Sequence, residues 1–370
     1  MRILWFNHRD ITHPQAGGAE SYIHEIARRL VTWDHEVTLC CELYPGARSQ
    51  EEIDGVEVKR MGGKFSLHFL ALGVKAAGYD LAVDDIAHGI PFWTPLFVRE
   101  PICALMMHWH DAVFYEELQF PVAVAARVCE RSIPIVYKRV PWVTISESTK
   151  RAMINHGIPP DNVSIASPGI NPNVYRPSST RTRSANVLCI SRLKKYKNIS
   201  DAIYAISAVA ETTPDARLII VGTGDYEDRL RQLVAHLRLK DKVVFRNFVG
   251  LRPPLEEVKV KLLQQARVFI MPSSFEGFSI SMIEAMACGT PVVSSDIDSS
   301  KELIKHGYNG FLYPIHRIDL LQRYVQLLLT DDHIHKRMSD NAVETAGQFT
   351  LDKTASRFLD IATEISGVRN

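Results

Sequence analysis

The sequence lacks a surplus of charge of either sign. Its 43 lysine and arginine residues are balanced by 42 aspartate and glutamate residues, which gives a formal net charge of +1. A strong field of one sign is what draws a protein to nucleic acids or to charged membranes, and this chain offers no such global field. No nucleic-acid recognition motif is visible either, so any electrostatic recognition must come from local clusters.

Long apolar runs and a cysteine framework are also missing. The richest apolar stretch, 121–137, is interrupted by Arg127, Glu130 and Arg131, whereas a membrane helix needs roughly 18 uncharged apolar residues. The six cysteines include no C-x-x-C pair, which indicates buried free thiols in a reducing compartment. The N-terminus runs directly into a strand-like segment and shows no signal peptide. We therefore expect a cytoplasmic protein that does not span a membrane.

What the sequence does contain is two successive series of short apolar segments separated by helical patterns. A chain of 370 residues exceeds the size at which one core keeps growing, so two domains are expected. Strands that alternate with helices pair in parallel, so each series predicts a doubly wound α/β sheet. The first series predicts strands at 2–6, 35–41, 56–60, 81–84, 103–107 and 142–145, and the second at 186–190, 217–221, 242–246, 268–271 and 291–294.

A stretch rich in turn-forming residues separates the two series. It contains Pro168, Gly169, Pro172 and Pro177. This composition is typical of a linker. We predict an N-terminal domain over residues 1–168 and a C-terminal domain over 169–349. The last helix, about 350–370, has an apolar face of its own. From this pattern alone, we expect it to cap the fold.

Residues 273–296 carry the most informative pattern. A buried strand is followed by a turn and then by a helix that a glycine and a proline terminate. Glu276 precedes the helix and Glu284 lies inside it, about 12 Å further along the axis. The free amides between the two glutamates form an anion site. A carboxylate on each side of an anion site suits a ligand that has hydroxyl groups at both ends and phosphate in the middle, as a nucleotide sugar does. Alternatively, Glu276 only caps the helix and Glu284 faces solvent.

The run FEGFSISMIEAMACGTPVV, which contains both glutamates, resembles the donor-site motif of the family 4 retaining glycosyltransferases of the GT-B fold. The resemblance covers most of the chain. It implies two Rossmann-like domains that face each other across a cleft, with the last helix crossing back onto the first domain. It also implies that Glu276 binds sugar hydroxyls and that Glu284 holds the ribose diol. The amides that would serve sugar and phosphate are those of Gly277, Phe278, Ser279 and Ile280, where Ser279 replaces the family's usual glycine.

A second motif, LCISRLKKYKN at residues 188–198, agrees with the first. Arg192 and Lys197 match the arginine and lysine with which the family grips the pyrophosphate. The leaving diphosphate gains negative charge as the glycosidic bond stretches, and fixed cations lower that barrier. The resemblance implies that no divalent metal and no cofactor are needed. Ser191 and Asn198 stand where the family usually has glycine, and a solvated basic turn is the alternative for the whole segment.

Weaker signals come from two segments of the second domain. Gly222 and Gly224 follow a strand, and a dinucleotide site would want a third glycine where Glu227 stands, so an NAD site is disfavoured. The resemblance assigns the two glycines to donor binding. It also assigns the backbone of Phe248 and Val249 to the nucleobase, although a turn at the end of a strand explains that segment as well.

In the first domain, the resemblance assigns Gly17 and Gly18 to close approach of the backbone to the donor phosphates. It places a histidine after the strand at 103–107, near the donor sugar. Strand register favours His108 for that role, and the adjacent aspartate favours His110. A structural histidine is the alternative for either.

Three further features point toward the acceptor side. Ser146 follows a strand and either faces the ligand or caps a helix, while Ser148 and Thr149 are predicted helix caps. The aromatic residues of 91–95 and 114–115, with nearby lysines and arginines, suit a lipid-linked acceptor and peripheral contact with the inner face of a membrane. Aromatic core packing is the other interpretation of the same residues.

The resemblance, together with these patterns, implies a retaining hexosyltransferase that moves a hexose from a UDP- or GDP-linked sugar to a hydroxyl acceptor in glycan, glycolipid or polysaccharide synthesis. Two alternatives stay open. A nucleotide-sugar 2-epimerase shares the two-domain fold, and a non-catalytic protein could bind the nucleotide sugar as a sensor. The sequence names neither the base, the sugar nor the acceptor.

Overall fold

The computed structural model describes residues 1–63, 66–86, 89–111, 113–179, 184–247 and 255–368. The chain divides into two compact units, one formed by Met1–Pro168 with Leu351–Asn370 and the other by Gly169–Thr350. Each unit contains a largely parallel sheet accompanied by helices. The predicted class, α/β with two Rossmann-like sheets, is confirmed.

The first unit contains, in its described part, an eight-stranded sheet. Its strands are β1 (Arg2–Phe6), β2 (Glu36–Glu42), β3 (Gln50–Ile53), β4 (Val56–Met61), β5 (Leu81–Asp85), β6 (Ile102–Met106), β7 (Trp142–Thr144) and β8 (Val163–Ile165). Their spatial order is β3-β4-β2-β1-β5-β6-β7-β8. Within these strands, only the edge strand β3 runs antiparallel to its neighbour. Because β1 lies between β2 and β5, the sheet is doubly wound, and β1 is accordingly buried from Ile3 to Phe6.

Strand β3 was not predicted, and its polar sequence QEEI explains why. It forms a hairpin with β4 through Asp54 and Gly55, which adopt positive φ angles of 53° and 83°. An Asp-Gly pair in front of an alternating apolar segment is a strong signal for a β-hairpin. The prediction missed it because it looked for strands that alternate with helices.

The helices of the first unit are α1 (Gly18–Thr32), α2 (Leu67–Ala71), α3 (Val113–Glu117), α4 (Phe120–Val136), α5 (Glu147–Asn155) and α13 (Leu351–Ser366). The last of these belongs to the first unit although the whole second unit precedes it in the chain. Phe358 of α13 stacks on Trp5 of β1 with ring centroids 4.9 Å apart, and both side chains are buried. Asp352 adds an ion pair to Arg29 of α1 at 2.7 Å.

The described part of the second unit contains a six-stranded parallel sheet in the order β11-β10-β9-β12-β13-β14. Its strands are β9 (Asn186–Ile190), β10 (Arg217–Val221), β11 (Val243–Arg246), β12 (Val268–Met271), β13 (Val292–Ser295) and β14 (Gly310–Tyr313). Its helices are α6 (Ile199–Thr212), α7 (Glu227–His236), α8 (Leu255–Gln265), α9 (Ile280–Ala287), α10 (Asp298–Lys301), α11 (Ile318–Thr330) and α12 (Asp332–Ala346).

The chain order of this sheet reverses between β9 and β12, which are paired neighbours through Val187 and Val268. The loops that follow the two strands therefore leave the same edge of the sheet side by side. Ligands of doubly wound sheets bind outside the carboxyl ends of the strands at such a reversal point.

None of the six cysteines, all of which lie in the described part of the chain, forms a disulfide bond; five are buried and Cys129 is half-buried. Among the described helices, none is both long enough and apolar enough to cross a membrane.

Candidate functional site

The loops after β9 and β12 are joined by backbone and side-chain hydrogen bonds. The amide of Ser274 donates to the carbonyl of Tyr196 at 2.8 Å. Asn198, in the left-handed conformation with φ of 47°, donates from Nδ2 to the Pro272 carbonyl at 3.2 Å and to Ser274 Oγ at 2.5 Å. Asn198 thus replaces the usual glycine because asparagine tolerates this backbone conformation, and its side chain ties the two loops together.

Lys197 and Glu276 meet where these loops touch. Lys197 Nζ donates to Glu276 Oε1 at 2.7 Å, and the two side chains are only 10% and 12% exposed. The buried hydroxyl of Ser273 donates to the same oxygen at 2.8 Å. The structure therefore brings together two predicted site residues from motifs that are 79 positions apart.

Tyr196 connects the two predicted cations. Arg192 Nη2 donates to the Tyr196 hydroxyl at 3.0 Å, while Lys197 Nζ lies 5.0 Å from the centre of the same ring. Arg192 itself is exposed, and the ring of Tyr196 is buried. The neighbouring Lys194 instead pairs with the exposed Asp225 at 2.9 Å, as expected for a solvated part of the turn. Sequence reasoning missed Tyr196.

Helix α9 begins at Ile280, four residues after Glu276, with Ser279 at its N-cap. The Ser279 side chain accepts no capping hydrogen bond from the helix backbone, and its Oγ lies 3.3 Å from Ser281 Oγ. Helix capping is therefore not the role of Glu276, whose Oε1 is engaged by Lys197 and Ser273. Because no side chain caps it, the start of α9 keeps the partial positive charge of a helix N-terminus, which suits an anion.

Glu284 is buried inside α9, so the interpretation that it faces solvent is wrong. Its Oε1 accepts a hydrogen bond at 2.6 Å from Lys259 Nζ of α8, and both side chains are at most 10% exposed. Lys259 Nζ lies 5.1 Å from the centre of the Tyr175 ring, and the Tyr175 hydroxyl donates to Glu256 Oε1 at 3.1 Å. Burial, together with the negative charges of Glu284 and Glu256, raises the pKa of Tyr175 well above its usual value.

These neighbours of Glu284 were not predicted. The available signal was Lys259 itself, a lysine on the inward face of an amphipathic helix with Val260 and Leu263. A buried ammonium needs an acidic partner, but the sequence does not say which one.

Gly222 and Gly224 pack against the loop that carries Arg192. A Cβ atom at position 222 would lie 2.0 Å from the Ser191 carbonyl oxygen, and one at position 224 would lie 2.2 Å from that of Leu193. Gly222 also has a φ of 142°. Both glycines thus have a structural reason to be glycine, which leaves their assignment to donor binding a prediction. Phe248 and Val249 lie outside the described residues.

In the first unit, Gly17 and Gly18 start helix α1. Gly17 is the N-cap, and its amide donates to the Glu20 side chain at 2.7 Å. Gly18 is the first helical residue and is exposed. The backbone here is open to approach, as a phosphate-binding turn would require.

His108 and His110 lie together just beyond β6, with ring centroids 4.1 Å apart. Trp109 between them is buried in the core and stacks on His156 at 4.4 Å. His110 is buried and stacks on Phe114 at 4.7 Å, whereas His108 is half-buried. The structure is compatible with either histidine as the site residue, and His108 is the more accessible of the two.

Glu130 of α4 organises this segment, and sequence reasoning missed it as a site residue. Its carboxylate is buried and accepts the amides of His110 at 2.7 Å and Asp111 at 3.1 Å. Its Oε1 also lies 3.6 Å from His110 Nδ1. Burial raises the pKa of Glu130 above its usual value, and the two amides oppose that rise. One carboxylate therefore fixes the backbone at His110 and Asp111 and lies close to the ring of His110.

Glu130→Gln is expected to lower the rate of the predicted glycosyl transfer about tenfold to a hundredfold, because the single oxygen of an amide cannot accept both backbone hydrogen bonds and the His110 segment shifts. The measurement is kcat and KM for each substrate, with the melting temperature as a check on folding. Glu364→Gln, at an exposed position in α13 of the same unit, is the matched control and should behave as wild type. Equal rates for the two variants would remove Glu130 from any positioning role.

Ser146 caps helix α5, which is the second of the two roles considered for it. Its Oγ accepts the amide of Thr149 at 3.1 Å. The prediction that Ser148 and Thr149 cap this helix is wrong, because both lie inside α5 and the cap precedes them. Ser146 has an extended backbone at the strand end, so its side chain reaches the third amide of the helix.

The aromatic residues ahead of α4 are mostly core residues. Phe92 and Phe114 are buried, and Trp93 is half-buried with its Nε1 donating to Ser132 Oγ at 3.3 Å. Tyr115 is exposed. In the described part of the chain, no cluster of three His, Cys, Asp or Glu residues is arranged to hold a metal ion.

Two family models match the chain in succession. The model for Glycosyltransferase Family 4 matches residues 16–174, and the model for Glycosyl transferases group 1 matches residues 174–345. The second match contains the Lys197–Glu276 and Lys259–Glu284 pairs.

Individual relatives agree with these matches. An uncharacterized glycosyltransferase of Methanocaldococcus jannaschii is 34% identical over 193 residues, which are 48% of this chain and 48% of that protein. A D-inositol 3-phosphate glycosyltransferase of Corynebacterium glutamicum is 26% identical over 262 residues, 66% of this chain. The chain thus spans about half to three fifths of the length of these curated relatives.

A solved structure resembles the fold over nearly the whole chain. Anabaena HepE in complex with UDP-glucose superposes with a TM-score of 0.78 at 19% identity, and the match covers 98% of this chain and 100% of that one.

Proposed function

Since the chain belongs to the family 4 glycosyltransferases of the GT-B fold, we propose that it transfers a hexose from a nucleoside-diphosphate sugar to a hydroxyl acceptor with retention of the anomeric configuration. The observation that carries this proposal is the contact between Lys197 and Glu276 at the reversal point of the second sheet. A cation for the diphosphate and a carboxylate for the sugar then stand at one place, beside the start of α9.

The proposed reaction makes use of this pairing. The bond between the anomeric carbon and the leaving diphosphate breaks, and the acceptor oxygen bonds to the same face of that carbon. The leaving phosphate takes the proton of the acceptor hydroxyl. Lys197 and Arg192 stabilise the charge that develops on the diphosphate, while Glu276 holds the sugar hydroxyls. These two cations supply the positive charge for which a divalent metal would otherwise be needed.

Glu284 is proposed to hold the ribose. Its carboxylate is already fixed by Lys259, so the ribose hydroxyls would meet an acceptor of defined orientation. Fixing the acceptor before the ligand arrives lowers the entropy lost on binding. The amides of residues 277–280 lie between the two carboxylates in sequence and are proposed to bind the phosphates.

The experiment that tests the proposal is a donor screen read in two ways. We expect one of the UDP-, GDP- and ADP-sugars to raise the melting temperature by mass action, and we would test UDP-glucose first because the HepE structure contains it. The selected donor should then release its nucleoside diphosphate only when a hydroxyl acceptor is supplied, and chelation by EDTA should leave the rate unchanged.

Other results of the same screen identify the alternatives. A changed sugar nucleotide formed without any acceptor would identify an epimerase. A melting-temperature shift without hydrolysis or transfer to any acceptor would identify a binding protein that does no chemistry. Product with inverted anomeric configuration would contradict the proposed mechanism while leaving the transferase assignment intact.

A further inference from the structure

Helix α4 of the first unit exposes an apolar face. Val124, Val128 and Ile135 repeat at spacings of four and seven, which puts them on one side of the helix over three turns. Phe120 at the start of the helix is 74% exposed, Val128 is 62% exposed and Ile135 is 79% exposed. This arrangement is unusual, because a surface helix ordinarily turns its polar residues outward.

The opposite face of α4 already packs on its own unit. Ala123, Ala126 and Ile133 are buried there. The exposed apolar residues are therefore additional to the face with which α4 packs on the core. They form a second apolar surface, which we call the α4 face and define as Phe120, Val124, Val128 and Ile135.

Neighbouring elements extend the α4 face. The Tyr115 ring lies 6.3 Å from that of Phe120 and is itself exposed. The hydrogen bond from Trp93 to Ser132 of α4 brings the short turn Thr94–Leu96 beside the helix, and Leu96 is 71% exposed. A contiguous exposed apolar surface of this kind marks an interaction site.

The exposed charges on α4 and on the residues directly after it are positive. Arg131 on the helix and Lys138 and Arg139 just after it are exposed. Across residues 120–139, the one acidic side chain is Glu130, which is buried and engaged with backbone amides. Apolar side chains with cations beside them complement an anionic lipid surface. The apolar side chains enter the boundary between head groups and acyl chains, and the cations contact the head groups.

We propose that the α4 face docks the first unit on an anionic lipid bilayer. A second copy of this chain fits less well, because a symmetric contact through the same face would bring the two sets of cations together. The inference concerns where the enzyme works rather than the reaction, and it stands whether or not the donor and mechanism proposed above are right. It assigns peripheral membrane contact to α4 instead of to the mostly buried aromatic residues of 91–95.

The test is sedimentation of the full chain with vesicles of phosphatidylcholine alone or of equal parts phosphatidylcholine and phosphatidylglycerol. We expect binding to the anionic vesicles only, weakened by added salt. The double variant V128D/I135D should lower the partition coefficient by at least about tenfold, since both side chains would leave the interface. The variant R131E/K138E/R139E should lose the preference for phosphatidylglycerol. Ile315→Asp, an exposed isoleucine in the second unit, is the matched control and should bind like wild type.

Two measurements keep the result unambiguous. Circular dichroism and melting temperature should match wild type for every variant, because each substituted side chain is solvent-exposed. Failure of wild type to bind anionic vesicles, or equal binding by wild type and V128D/I135D, would overturn the proposal. So would a dimer in sedimentation velocity that V128D/I135D converts to a monomer, which would assign the α4 face to self-association. Donor binding is scored separately by thermal shift, so loss of vesicle binding with intact donor binding leaves the proposed reaction untouched.

Discussion

Lys197→Met is expected to reduce the transfer rate by about a hundredfold to a thousandfold, the typical cost of removing a preorganised group that stabilises charge in a transition state. The ammonium lies 2.7 Å from Glu276 and is only 10% exposed, so water cannot readily replace it. Because the charge on the diphosphate grows as the glycosidic bond breaks, the loss should appear in kcat more than in KM.

Glu276→Gln should be similarly impaired, and the double variant supplies the sharper test. Two groups that act as a unit lose activity non-additively, so Lys197→Met combined with Glu276→Gln should be little worse than either single variant. Strict multiplication of the two losses would indicate separate roles and would contradict a shared site.

Lys194→Met is the matched control for Lys197. It is a lysine of the same loop, but it pairs with Asp225, whose side chain is 69% exposed. Its transfer rate should stay close to that of wild type. Near-normal rates for Lys197→Met as well would remove the cation on which the proposed reaction depends.

Lys259→Met is expected to lower the free energy of unfolding by about 3 kcal/mol or more, because it leaves the Glu284 carboxylate buried without its cation. Glu284→Gln should also destabilise, since it leaves the ammonium of Lys259 without its anion. The double variant K259M/E284Q should be more stable than Lys259→Met alone, because no uncompensated charge stays behind. Urea unfolding monitored by circular dichroism gives the three values.

A surface ion pair provides the control for this series. Lys336 and Asp340 of α12 lie 2.5 Å apart with side chains 70% and 58% exposed, so Lys336→Met should change stability by no more than about 0.5 kcal/mol. If Lys259→Met lowers the free energy of unfolding no more than Lys336→Met does, the Lys259–Glu284 pair does not stabilise the fold.

Nucleotide binding distinguishes the structural role of the Lys259–Glu284 pair from the proposed role of Glu284 in holding the ribose. If Glu284 holds the ribose, Glu284→Gln should also reduce the melting-temperature shift caused by the free nucleoside diphosphate. An unchanged shift in that variant would place the ribose elsewhere and leave the stability prediction intact.

Residues close together in sequence were the predictable part of the candidate site. The strands at 186–190 and 268–271 follow from short apolar segments, and they match β9 and β12 to the residue. The turn before α9 is predicted because it lies between a strand pattern and a helix pattern. Glu276 and Lys197 could be named because each belongs to a local motif. Their meeting at 2.7 Å follows from the pairing of β9 with β12, which local patterns do not specify.

Partners distant in the chain were the unpredictable part. Lys259 and Glu284 are 25 positions apart on different helices, and Glu130 reaches the His110 amide from 20 positions away. Tyr175 joins the Glu284 cluster from the segment that the sequence shows only as a linker. A side chain's partner is set by helix packing, and a glutamate in an apolar helix looks the same in sequence whether it faces water or a buried lysine.

The sequence by itself determined the class of this protein. Alternating strand and helix periods specify doubly wound α/β units, and the motifs at 188–198 and 275–293 predict the kind of ligand. Only the tertiary structure decided how charges are matched, which glycines are required by backbone packing, and which face of α4 meets solvent. The physical reason is that local periodicity needs only neighbouring residues, whereas burial and ion pairing depend on side chains that folding brings together from separate elements.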